Sequence, residues 1–177
     1  MDFVYIDNSN LYIEGRRVSA VKQGFEATID NAMRNGTLDK GYTIDFGKLY
    51  KFLCGNGVDA EATLFGSRPP PNDGIWTFAE RAGFKLVLED RNIQNKEKKI
   101  DTGVVTKLTR DAYRNGDPKN DLFVLVSGDA DYVPTVKTLV DDGYTVEVVF
   151  WGHASKELTS VASKFICLDD HLDTLRL

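Results

Sequence analysis

Two carboxylates, Asp129 and Asp131, follow an apolar run of strand length, Leu122–Val126, with Ser127 and Gly128 between. In an open α/β sheet, ligands bind outside the carboxyl ends of strands. Acidic oxygens placed there beside a hydroxyl suit a divalent cation, which takes hard oxygen ligands. The same stretch also reads as a plain helix start, with Asp129 as N-cap and Pro134 in the first turn. A distant segment repeats the pattern. Phe3–Ile6 is a short buried strand that runs into Asp7, Asn8, Ser9 and Asn10. An Asx turn or cap accounts for Asp7 or Asn8 taken alone. If the two strands are neighbours at the switch point of the sheet, Asp7 and Asp129 meet.

A third acid, Asp101, opens a segment in which positions 101, 104, 105, 108 and 112 share one helix face. As an N-cap it is unremarkable. Aimed at the same cleft it is costly without a cation. Two carboxylates about 5 Å apart repel by roughly 3 kcal/mol at an effective dielectric near 20, so converging acids that lack a buried Lys or Arg do not all stay ionised.

The elements that would position these acids alternate along the chain. Asp45–Leu53 is amphipathic, with Phe46, Leu49, Tyr50 and Leu53 on one face, and Gly55-Asn56-Gly57 stops it. Val58–Leu64 alternates as a half-buried strand does. Pro69–Pro71 is a loop, Ile75–Ala82 a helix, and Phe84–Leu88 a strand. A basic loop, Arg91–Lys99, leads to the Asp101 helix. After the Leu122–Val126 strand come a helix through Val140, a strand over Tyr144–Trp151, a helix near Ser155–Ser163 and a sixth strand over Phe165–Leu168. The Asp169–Asp173 stretch is read as solvated. Strands alternating with helices predict an α/β fold with a mainly parallel sheet of five or six strands. Residues 15–43 have weak periodicity and are read as an insertion or flap with a helix near Val21–Met33; Arg16, Arg17 and Lys22 there are candidate phosphate contacts.

The 177 residues are expected to form one domain, 1–177, with a proper core. No apolar run is long enough to span a bilayer and no signal peptide is visible. Two lone cysteines, Cys54 and Cys167, give neither a disulfide framework nor a zinc pattern and are read as buried thiols. A reducing, cytoplasmic setting is expected. The net charge of −5 does not advertise a polyanion binder, but its distribution is uneven. From Arg91 to Arg114, seven Lys/Arg face three acids, a surplus of +4 that leaves −9 elsewhere.

Three blocks together resemble the signatures of NYN-domain proteins, within the PIN-like nuclease superfamily: Val4–Asn10, Lys99-Ile100-Asp101, and Val126–Pro134. Gly143–Val148 resembles the strand that follows. The resemblance implies a PIN-like three-layer α/β/α sandwich and a ribonuclease dependent on Mg²⁺ or Mn²⁺. It places Asp7, Asp101, Asp129 and Asp131 around the metal and in catalysis, with Asn8 and Ser127 as supporting polar groups. The metal would bind a phosphate oxygen and acidify the attacking water. Single-stranded RNA is the expected partner, with Asn10, Arg16, Arg91, Lys96, Lys98, Lys99 and Lys107 as candidate contacts. Tyr12, Tyr132 and Trp151 are candidate stacking surfaces, with core packing the alternative. Lys107 stands where family members often carry another Asp. His153 and His171 lie outside the blocks and receive no general-base role.

Competing readings are a haloacid-dehalogenase-like phosphatase, a receiver domain, and an NYN fold that binds RNA or protein without cutting. The first expects an acid two places after Asp7, where Ser9 stands.

Overall fold

The structure is a computed structural model that describes residues 1–55, 59–68, 74–90 and 96–177. Among the described residues six strands form one sheet: β1 (Asp2–Asp7), β2 (Ala60–Arg68), β3 (Lys85–Asp90), β4 (Leu122–Val126), β5 (Thr145–Phe150) and β6 (Lys164–Cys167). Their order is β3-β2-β1-β4-β5-β6, and every pairing is parallel. The order reverses between β1 and β4, the place where open α/β sheets leave a crevice beyond the strand ends. The expected neighbour relation holds: Ile6 pairs with Val126, so the chain leaves both strands side by side.

Helices cover both faces. They are α1 (Asn8–Lys22), α2 (Ile29–Asn35), α3 (Phe46–Cys54), α4 (Gly74–Ala82), α5 (Lys96–Asn115), α6 (Val133–Asp141), α7 (Lys156–Val161) and α8 (Leu172–Leu175). The two-residue period of a strand explains the layering. In β1, Val4 and Ile6 join Leu11, Leu49, Trp76 and Leu172 in one core, while Phe3 and Tyr5 join Val104, Leu108, Val136 and Leu158 in the other. The result is the three-layer sandwich expected. Asp7 continues the Phe3–Tyr5 row, which turns it toward α5 and α6. Buried Ile100, Val104, Leu108 and Ala112, four residues apart, seat α5 on that face.

Several boundaries differ from the sequence reading. There is no helix over Val21–Met33. Instead α1 starts at the end of β1 and runs unbroken to Lys22, and α2 begins only at Ile29. Helix α5 begins at Lys96, so Lys96–Lys99 are helical and Asp101 lies within α5 rather than capping it. In the Asp169–Asp173 stretch, Asp169, Asp170 and Asp173 are exposed, in keeping with the solvated reading, while Leu172 is buried, Asp169 accepts from the Gly152 amide at 2.9 Å, and Asp173 pairs with Lys22 at 2.7 Å. Cys167 is exposed and Cys54 half-buried, so only the second resembles the expected buried thiol; burial pushes it up to about 11. Pro69–Pro71 and Asn56–Val58 lie outside the described residues. Among the described residues no helix is long and apolar enough to cross a membrane.

Candidate metal and phosphodiester site

A cleft of about 440 Å³ opens at the carboxyl ends of β1 and β4, lined by Asp7, Ser9, Asn10, Ile13, Glu14, Arg17, Ile100, Asp101, Asp129 and Asp131. All four expected acids therefore border one space, although they come from β1, α5 and the turn after β4. Asp7 is 5% exposed, whereas Asp129 and Asp131 stand exposed on the rim.

Cap and site are not alternatives here. Asp7 caps α1: its Oδ1 accepts from the Asn10 amide at 3.1 Å. Its other oxygen, Oδ2, lies 3.3 Å from the Tyr132 hydroxyl. Asp129 caps a 3₁₀ turn over Ala130–Tyr132, its Oδ1 accepting from the Asp131 amide at 2.9 Å. Each cap fixes one carboxylate oxygen to backbone and thereby orients the second. The Tyr132 hydroxyl also reaches Asp101 Oδ1 at 3.0 Å. This buried tyrosine thus ties two of the acids to each other.

Asn10 ties the two strand ends. Its Oδ1 accepts from Ser127 Oγ and from the Gly128 amide, both at 3.0 Å. Ser127 is fully buried, and its Oγ also receives the Asp129 amide at 3.4 Å. Gly128 has no room for a side chain: a Cβ would sit 2.2 Å from the Phe150 ring. Asn8 opens α1 but does not line the cleft; the supporting amide on this strand end is Asn10.

Burial raises the Asp7 carboxyl to about 6; the charges of Asp101 and Asp129 add to the rise, and the bonds from Asn10 and Tyr132 oppose it. Among the described residues, no Lys or Arg forms an ion pair with Asp7 or Asp129. A divalent cation would relieve that crowding, and the donors are all oxygens, the set that hard cations take. In chemistry the residues fit such an ion. They are not closed into a finished ligand set: among the described residues, no three His, Cys, Asp or Glu side chains group tightly enough to hold a metal.

The candidate RNA contacts divide. Arg16 turns away from the cleft, bonding the Tyr42 and Lys40 carbonyls and the Tyr12 hydroxyl and lying 4.5 Å over the Tyr12 ring. Its neighbour Arg17 lines the cleft instead. Lys107 is withdrawn from any strand at this end of the sheet, held by Asp111 at 2.6 Å and Glu61 at 3.2 Å, beside the Tyr5 ring. The Glu61 pairing with Phe3 places that cluster toward the amino ends of the strands. Arg91 and the side chains of Lys96, Lys98 and Lys99 lie outside the described residues. None of the three aromatics offers a free stacking face: Trp151 and Tyr132 are core residues, and Arg16 covers Tyr12. His171 packs on Phe52.

The sequence reading overlooks Glu14. It lines the cleft, bonds Arg17 Nη1 through Oε1, and accepts from His153 Nε2 through Oε2 at 2.7 Å. Helical spacing carries the signal: Asn10, Ile13, Glu14 and Arg17 fall at i, i+3, i+4 and i+7 and share one face of α1.

The family model described as NYN domain matches residues 3–169, nearly the whole chain. Among solved structures, the chain is similar to a Vibrio parahaemolyticus protein of unknown function, at 17% identity and a TM-score of 0.67, over 99% of this chain and 95% of that one. At that identity the likeness concerns the fold. None of the curated proteins compared is significantly similar to the chain.

Proposed function

Because the chain belongs to the NYN domain family, whose fold is that of PIN-like nucleases, we propose that it is a divalent-metal-dependent ribonuclease that hydrolyses phosphodiester bonds of single-stranded RNA. One observation carries the reading: acids from three remote parts of the chain, Asp7, Asp101 and Asp129, border a single cleft at the sheet's reversal point. Burial is the main cause of the raised Asp7 carboxyl, and the charges of Asp101 and Asp129 brought to the same cleft add to it.

Asp7, Asp101, Asp129 and Asp131 would hold Mg²⁺ or Mn²⁺. Such an ion supplies Lewis acidity at a phosphate oxygen and lowers the pKa of a water. The chain's own residues divide the remaining work. The Asn10 amide holds one oxygen of Asp7 and the Tyr132 hydroxyl, shared with Asp101, lies beside the other, so this buried carboxylate serves as the anchor. Proton acceptance from the attacking water falls to the exposed rim acids, Asp129 through its second oxygen or Asp131. Ser127 and Asn10 hold the two strand ends in register.

The test is cleavage of end-labelled single-stranded RNA by the purified protein. We expect cutting with Mn²⁺ or Mg²⁺, none with chelator, and a loss on the order of 100-fold in Asp129→Asn, the scale of a lost acid–base group. If Asp129→Asn cuts as fast as the parent, the assignment fails. A second reading, a fold that binds RNA without cutting, draws on the absence of a closed ligand set among the described residues. Tight RNA binding with no cleavage across a full metal titration would favour it.

A further inference from the structure

The acidic cleft has a difficulty as a site for a polyanion. Its described lining contains five carboxylates, Asp7, Glu14, Asp101, Asp129 and Asp131, and a single cation, Arg17. A strand of phosphates needs positive charge to dock. Arg17 is the described side chain that offers it, and it is built into place. Its Nη1 donates to Glu14 Oε1, and the other oxygen of Glu14 is held by His153 from the loop after β5. The three side chains, in the order Arg17, Glu14 and His153, are only 22%, 12% and 15% exposed. Arg17 Nε is buried with no hydrogen-bond partner among the described residues. An i,i+3 pair on an open surface would be fully solvated and worth little. Here the carboxylate is held at both oxygens, and the guanidinium it holds belongs to a side chain that lines the cleft.

The geometry points to Arg17 as the phosphate-backbone anchor of this cleft, with Glu14 and His153 as the residues that position it. This rests on the nucleic-acid reading above and names the residue that would bind the strand. Guanidinium chemistry matches that role, since its charge is permanent and its planar fork can bond a phosphate with donors that Glu14 leaves unused. Ile13, 41% exposed on the same helix face, supplies apolar surface beside it.

Fluorescence anisotropy with a fluorescein-labelled oligouridylate tests this, on the full chain carrying Asp129→Asn so that the strand stays intact, with MgCl₂ and varied KCl. Arg17→Ala and the longer Arg17→Gln should each weaken binding about tenfold, the order of one charge-assisted contact. They should also flatten the slope of log Kd against log salt by about 0.7, as for one lost phosphate contact on a single strand. Arg17→Lys should keep the slope and lose part of the affinity. His153→Leu should weaken binding about threefold, a fraction of the anchor's own contribution, and His153→Gln, which retains a donor for Glu14, should restore it. A parent that binds while both Arg17 substitutions leave affinity and slope unchanged overturns the anchor alone. Equal binding by parent and His153→Leu overturns the positioning role. No binding by the parent at any salt overturns the nucleic-acid reading and the anchor together.

Discussion

The Tyr132 hydroxyl lies 3.0 Å from Asp101 Oδ1 and 3.3 Å from Asp7 Oδ2. One proton serves two carboxylates, so the tyrosine can donate to only one at a time while its hydroxyl stays within reach of both. Tyr132→Phe keeps the ring in the core and removes only this link. We expect stability to change by no more than about 1 kcal/mol, and affinity for Mn²⁺ to fall roughly tenfold, as when a partner of a ligand is lost. Calorimetric Mn²⁺ titration checks this independently of turnover; unchanged affinity would make Tyr132 a packing residue only.

Asp7 gives a pH dependence. Its folded value, about 6, stands above the ordinary 3.8, so between those values the native state binds more protons than the unfolded chain. Stability from this group therefore falls as pH rises through that window, and at neutral pH the ionised form costs on the order of 3 kcal/mol. In chelator at a pH of about 7.5, well above that window, Asp7→Asn, which keeps an acceptor for the Asn10 amide, should melt several degrees above the parent. Near the bottom of the window the two should converge. A variant that melts below the parent on the alkaline side contradicts the assigned strain.

Asp129 separates capping from chemistry. Asp129→Asn retains an oxygen for the Asp131 amide, so its melting temperature in chelator should match or exceed the parent's while cleavage falls. Asp129→Ala loses the cap as well and should cost about 1 kcal/mol. If both substitutions destabilise equally, the carboxylate's charge is itself structural.

Asn10 is predicted to matter as a tie more than as an RNA contact. Asn10→Ala leaves the buried Ser127 hydroxyl and the Gly128 amide without their acceptor, a loss of about 1–3 kcal/mol. Urea unfolding measures it. RNA affinity per folded molecule should fall less than in Arg17→Ala.

Much of this is legible from the chain. The run from Leu122 to Asp131 and the run from Phe3 to Asn10 each end a buried strand in acids, and the parallel pairing of β1 with β4 brings them together as that pattern implies. The α1 face is harder to see. Gly15 and the mixed charges after it interrupt the hydrophobic period, yet Gly15 is there because Trp151 packs against it, a Cβ being only 2.7 Å from that ring. As a flap, the segment offers Arg16, Arg17 and Lys22 alike; with the helix carried through, the i+7 step from Asn10 selects Arg17. Tyr132 reads in sequence as a flat ring for bases or core, because a hydroxyl's partners depend on tertiary placement. The local charge surplus draws Lys107 toward RNA, but its acidic neighbours, Glu61 on β2 and Asp111 one turn on, claim it.

The crossover through α5 has a consequence for biosynthesis. This helix carries the chain from edge strand β3 back across the sheet to β4. A polypeptide that has left the ribosome only as far as β3 contains one of the four cleft aspartates, and the last two emerge after β4. Translation therefore withholds the complete acid set until most of the domain exists to contain it.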